Sequence, residues 1–265
     1  MYSIIPQFFL AGLFLLSLIG YLVSVVVSNQ NYKKWPIHRV ILMILGTMSV
    51  LSAIIGPLAD LGHSWFPAHM ISHLLLGMLA PLLIVLAAPM TLLLRTLPVA
   101  IARRFTRFFS SWVGRMATHP VFTSILNVGG LWLLYTTDLY QAMHQHVLLY
   151  LFIHLHVFIA GYLFTASILY IDPIPHRLSY LYRSIVLILA LAGHGILSKY
   201  LYATPPNGVP DEQARIGSQI MYYGGDAVDL VIIFILCWHW FKATRPKVAW
   251  NKGKQPLLIT HNKKQ

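Results

Sequence analysis

Thirteen histidines stand in this 265-residue chain, and the spacing of His69 and His73 is the first feature that could do chemistry. Residues four apart on a helix share a face, so this pair could grip one metal ion or contact one cofactor. His63, His144, His146, His154, His156 and His194 lie in other parts of the chain that a bundle could bring near it. Imidazole together with the soft sulfur of Met70, Met143 and Met221 suits copper, above all Cu(I), although methionine also serves as a flexible core filler. Histidines on facing helices could instead ligate haem. A third possibility is a proton or small-molecule relay through His194, Asp226 and Asp229. Cys237 is the only cysteine, which excludes an intrachain disulfide and a two-cysteine metal site. No nucleophile motif or phosphate-binding glycine loop is present, so hydrolytic enzyme readings are poor.

These residues sit on elements that composition identifies. Hydrophobic residues make up 57% of the chain and charged residues 10%, against roughly 25% charged in soluble domains. The apolar residues come in blocks near 4–28, 40–59, 68–97, 121–137, 147–171, 181–202 and 219–241. Most are long enough for the ~20 residues that cross a bilayer as a helix. The sequence therefore predicts an all-α, polytopic bundle of seven transmembrane helices over 1–241, followed by a basic, disordered tail over 242–265. The first block lacks a basic n-region and exceeds the ~7 to 15 residues of a signal-peptide core, so it reads as a retained span.

The net charge of +12 comes from residues between the blocks, a pattern that reports topology and not nucleic-acid binding. Lys33, Lys34 and Arg39 follow the first block. Arg95 to Arg115 follow the third, Arg177 and Arg183 the fifth, and a basic tail the seventh. Only Lys199 and Arg215 fall on the opposite side, which carries Asp60, Asp138, Asp211 and Glu212. The positive-inside rule then puts the N-terminus outside and the tail in the cytoplasm. Arg103 to Arg115, with Phe105, Phe108, Phe109 and Trp112 interleaved, reads either as an amphipathic helix on the inner leaflet or as an ordinary basic loop.

With that orientation, His69, His73, His154 and His194 become the candidate metal residues, supported by Asp60, His144, His146, Asp226 and Asp229. At 1.5 Å rise per residue, His73 lies ~8 Å, His154 ~10 Å and His194 ~12 Å below the outer boundary. Polar groups at such depth must face the bundle interior. The third block, as one straight helix, would be ~45 Å long, more than the ~30 Å core. Pro81 and Pro89 each remove a backbone donor and clash with the carbonyl four residues earlier, so the helix is expected to tilt or break.

The stretch from His69 through His73, Pro81, Pro89 and Arg95 to Pro98 resembles the signature of the CtaG family of assembly factors for caa-type cytochrome c oxidase. His119-Pro120, the Leu139-Tyr140 turn and the histidine-rich fifth block ending in Gly161 add to the resemblance, which covers roughly 40–240. The fifth block lacks the paired tryptophans of many members. The resemblance implies a maturation factor, or chaperone, of the respiratory chain in the bacterial cytoplasmic membrane. Its implied partners are cytochrome c oxidase subunits and the lipid bilayer, with copper delivery as a proposed role and no catalytic residues of its own. A membrane haem protein and a transporter are the alternatives, and the oligomeric state is not encoded.

Overall fold

The computed structural model describes residues 5–174 and 176–246. The expected tail falls mostly outside the described residues, apart from 242–246. Among the described residues there are helices and no strands. They are α1 (Ile5–Asn31), α2 (Ile37–Ile54), α3 (Pro57–Gly62) and α4 (Phe66–Leu86). Next come α5 (Pro89–Thr96), α6 (Val99–Ser110), α7 (Trp112–Ala117), α8 (Pro120–Thr136) and α9 (Leu139–Met143). The long helices α10 (Val147–Leu169), α11 (Tyr180–Ala203) and α12 (Asp211–Thr244) complete the bundle.

Six helices, α1, α2, α4, α10, α11 and α12, are long and apolar enough to cross a membrane. The fourth apolar block forms α8, a shorter apolar helix. Its two ends lie far apart in the bundle. The Thr123 hydroxyl is 2.8 Å from that of Ser167, near the end of α10, while Tyr135 reaches His69 near the start of α4.

Helix α4 is the centre. Of its apolar window 56% is buried, against at most 39% in any other crossing helix, and it packs against α2, α10 and α12. Its length is resolved as the prolines require. A wide π-turn at Leu75–Leu79 precedes Pro81, whose ring supplies no N–H to the Gly77 carbonyl. That carbonyl instead faces Gly161 of α10 so closely that a Cβ at residue 161 would overlap it. The helix then breaks at Ala88, which adopts φ 53°, a left-handed conformation that costs roughly 1–2 kcal/mol for an L-residue.

Three partners hold this break. The Tyr21 hydroxyl donates to the Ala87 carbonyl at 3.0 Å and receives the Trp35 indole N–H at 2.9 Å. On the far side, Asp172 accepts from the Met90 and Thr91 amides at 3.3 and 2.7 Å and from the Thr91 hydroxyl. These are donors that the first turn of α5 cannot satisfy within itself. Burial nevertheless holds the Asp172 carboxyl above the usual carboxylate range, against the lowering effect of those hydrogen bonds.

The second block also ends earlier than expected. Helix α2 stops at Ile54, Gly56 takes φ 91°, and Pro57 starts the separate α3. Only glycine adopts that conformation without strain. Helix α12 in turn begins at Asp211, and its Gln213 side chain accepts from the Phe66 amide at 3.0 Å, tying the start of α12 to the start of α4.

The contact of Gly161 with Gly77 carries a prediction. Gly161→Ala should lower stability by ~1–3 kcal/mol through overpacking, seen as an earlier thermal unfolding transition in detergent. Gly20→Ala, whose Cβ would meet nothing within 4 Å, should leave that transition where it is.

Candidate functional site

Neighbouring ends of α3, α4, α9 and α10 bring three histidines together. His63 and His144 have ring centres 5.8 Å apart, and His144 and His69 6.4 Å. Tyr140 fills the space between, 5.0 Å from both His69 and His144. The His63 Nε2 is 3.2 Å from the Gln7 amide of α1. Burial pushes the His63 imidazole below its usual pKa, His144 adds to this, and Asp60 opposes it. An open basin of about 300 Å³, lined by His63, His144, Gln141, Gln145 and Gln213 among others, lies over this tier.

At the base of this tier, His69 is held by the Tyr135 hydroxyl, 3.0 Å from its Nε2. His69, His73, His154 and Tyr135 then line one small cavity. His73, His194, Asp229, Asn127 and Met78 line a second. Each has about 20 Å³, enough for about one water-sized centre. His73 belongs to both, so it is the wall between them.

The hydrogen bonds select which ring nitrogen each histidine presents. The Nδ1–H of His144 donates to the Tyr140 carbonyl at 2.8 Å, and that of His154 to the Tyr150 carbonyl at 2.9 Å. In a neutral imidazole this leaves Nε2 carrying the lone pair. The Nε2 atoms of His73 and His194 are buried with no hydrogen-bond partner. Their rings lie 6.5 Å apart and nearly parallel, at 24°. Gly225 makes room for this arrangement, since a Cβ there would stand 2.6 Å from the His194 ring.

The structure thus places the four candidate metal residues along one track, but not around one point. His154 shares the upper cavity with His69 and His73, whereas His194 shares only the lower one with His73. Among the described residues, no three His, Cys, Asp or Glu side chains are grouped closely enough to hold one metal ion. Of the supporting residues, His144 and Asp229 join the track, while Asp60, His146 and Asp226 are exposed and line none of the three cavities. Met70, Met143 and Met221 are packed in the apolar core, and Met143 also lines the upper cavity.

Other participants carry no signal in histidine spacing. Tyr135, Tyr140 and Tyr150 form the aromatic frame of the track, and Asn127 reaches the lower cavity from a π-turn at Ile125–Gly129 of α8. His156, one position beyond the cavity-facing stripe, spends its Nε2–H on the Leu126 carbonyl of that same turn at 3.3 Å. That carbonyl also accepts the Gly130 amide, so His156 is a second donor to it and ties α10 to α8.

Residues 19–243 match the family described as cytochrome c oxidase caa3 assembly factor. This chain belongs to that family. The match encloses the whole track from His63 to Asp229 and all six crossing helices except the beginning of α1 and the end of α12. The chain is also similar to an uncharacterized protein of Mycobacterium leprae, 31% identical over 183 residues, covering 66% of this chain and 28% of that protein. Uncharacterized proteins of Mycobacterium bovis and Mycobacterium tuberculosis are each 31% identical over 169 residues, covering 61% of this chain and 26% of theirs. The chain therefore spans about a quarter of the length of the curated relatives it matches. No solved structure matches it significantly.

Two outcomes follow from this geometry. Tyr135→Phe strands the buried side of His69 and should lower stability by ~1–3 kcal/mol, measured by thermal unfolding in detergent. Because the folded protein disfavours charged His63, its neutral form contributes stability fully above the unfolded pKa of about 6.5, and that contribution is lost as pH falls below it. The unfolding temperature should therefore fall between pH 7 and pH 5, and less steeply in His63→Gln.

Proposed function

We propose that the protein is a maturation factor for cytochrome c oxidase in a bacterial cytoplasmic membrane, and that its histidine track handles copper as cargo. Family membership supports the first part. The observation that carries the second is the pair of buried, unpartnered Nε2 atoms on His73 and His194. A buried imidazole nitrogen without a partner is costly in either tautomer, and with the proton on Nδ1 a soft monovalent cation at Nε2 removes the cost, since imidazole and thioether are ligands Cu(I) accepts. The tethering of His144 and His154 through Nδ1 is the orientation metal-ligating histidines usually have. The small cavities favour an ion over a porphyrin, and a ladder of histidines in place of one closed cage suits release more than retention.

In this reading α8 is the seventh crossing. It is short, but it carries the chain from the Ser167 end of α10 to the His69 end of α4, so the basic segment 95–115 and the basin over His63 lie on opposite faces of the membrane. Positive residues then face the cytoplasm and the N-terminus lies outside. The basin receives copper from the outer side, His69 and His144 take it first, and His73 passes it to the deeper pair. Oxidase subunits are the receiving partners.

Deleting the gene should lower oxidase activity while the oxidase subunits are still synthesised. Restoring it with His73→Gln, which keeps hydrogen-bonding capacity but is a poor copper ligand, should leave activity low at normal protein level. Full activity in the His73→Gln strain would sink the copper assignment, and full activity in the deletion strain under copper limitation would sink the assembly role as well.

A further inference from the structure

Helix α6 is a feature that the histidine track does not use. All of its residues are outside the core, and its one substantial packing partner is the short α7. Apart from Val99 in the first turn, which falls on the arginine side, the large apolar side chains are not scattered. At a helical repeat of 100° per residue, Ile101, Phe105, Phe108 and Phe109 fall on one side, and Arg103, Arg107 and Ser110 on the other, with Arg104 on the border. Phe108 is 56% exposed, and beyond the helix Trp112 is 72% exposed. No acidic residue occurs between Val99 and Ala117.

This apolar face is held open by construction. Ser111 caps α7 by accepting the Gly114 amide at 3.3 Å, and Gly114 lies so close to the backbone of Phe108 and Phe109 that a side chain there would overlap it. The turn is therefore tight, and α7 cannot swing over to cover the phenylalanines. Leu97 and Pro98 alone separate α6 from α5, and Thr118 and His119 alone separate α7 from α8. Both ends of the hairpin are thus tethered closely to helices of the bundle.

We propose that α6 lies in the plane of the bilayer surface, with its phenylalanines in the acyl boundary and its arginines on anionic phospholipid headgroups. Burial of one face and attraction of the other to anionic lipid are the two sources of affinity of an interfacial helix. Guanidinium groups also bind phosphate oxygens in a bidentate fork, which gives a headgroup phosphate a geometric as well as an electrostatic fit. The proposal is independent of the oxidase reading and of which face of the membrane is cytoplasmic.

The test uses the full chain with Cys237→Ser, reconstituted into nanodiscs of either phosphatidylglycerol or phosphatidylcholine. An environment-sensitive fluorophore is attached through Phe108→Cys on the apolar face or Ser110→Cys on the polar face, and quenched with water-soluble acrylamide. In phosphatidylglycerol the label at 108 should be quenched roughly fivefold less than the label at 110. That difference should fall by about half or more in phosphatidylcholine, and likewise in the triple variant Arg103→Gln, Arg104→Gln, Arg107→Gln. Equal quenching at the two positions in phosphatidylglycerol would overturn the in-plane placement. Protection of 108 that is the same in both lipids would overturn the headgroup assignment. Protection that appears only when oxidase subunits are added would assign the face to a protein partner instead.

Discussion

The close approach of Gly77 and Gly161 is the contact on which the remainder of the site depends. Pro81 leaves the Gly77 carbonyl without its helical donor, the π-turn widens the helix around it, and only a residue without a side chain can come alongside. That contact sets α10 against the middle of α4. It thereby fixes the side of α4 on which His154 meets His69 and His73, and on which His156 can reach across to the Leu126 carbonyl of α8. A polar group in hydrocarbon needs a partner supplied by the protein. Along this track the Nε2 atoms of His73 and His194 and the hydroxyl of Ser72, which lines the upper cavity, have none.

How much of this was legible in the sequence depends on the range over which each feature is determined. Local rules served well. The apolar blocks became helices, the excess length of the third block was resolved by a break at its second proline, and His73, His154 and His194 each line a cavity inside the bundle. The i, i+4 rule placed His69 and His73 on one cavity, but it could not reveal that Tyr135 already occupies the His69 nitrogen. Nor could depth alone reveal that His154 and His194 lie on opposite sides of His73. Those facts depend on how helices rotate against one another, which no single helix encodes. His156 and His154 differ by two positions, and helical rotation sends one to a cavity and the other to a carbonyl.

The crossing count illustrates the same limit. Helix α8 is bounded by His119-Pro120 and by the turn before Leu139, and between them it has fewer than the ~20 residues of a usual crossing, part of them in a π-turn. Hydropathy marks the block as apolar without saying how far it reaches. The tertiary contacts at Thr123 and Tyr135 say more, since they tie its ends to opposite ends of its neighbours. The family match runs through this helix without interruption, so its irregularity lies within the matched unit.

The cap on α5 has a consequence for the order in which the chain matures. The amides of Met90 and Thr91 are satisfied by a carboxylate 82 and 81 residues further along. At ~5 to 20 residues per second of synthesis, the ribosome reaches Asp172 several seconds after it has produced α5. Throughout that interval the first turn of α5 has only water or lipid headgroups for its free donors, and the left-handed bend at Ala88 lacks one of its three supports. The broken form of α4 is therefore completed late, when α10 has already left the ribosome.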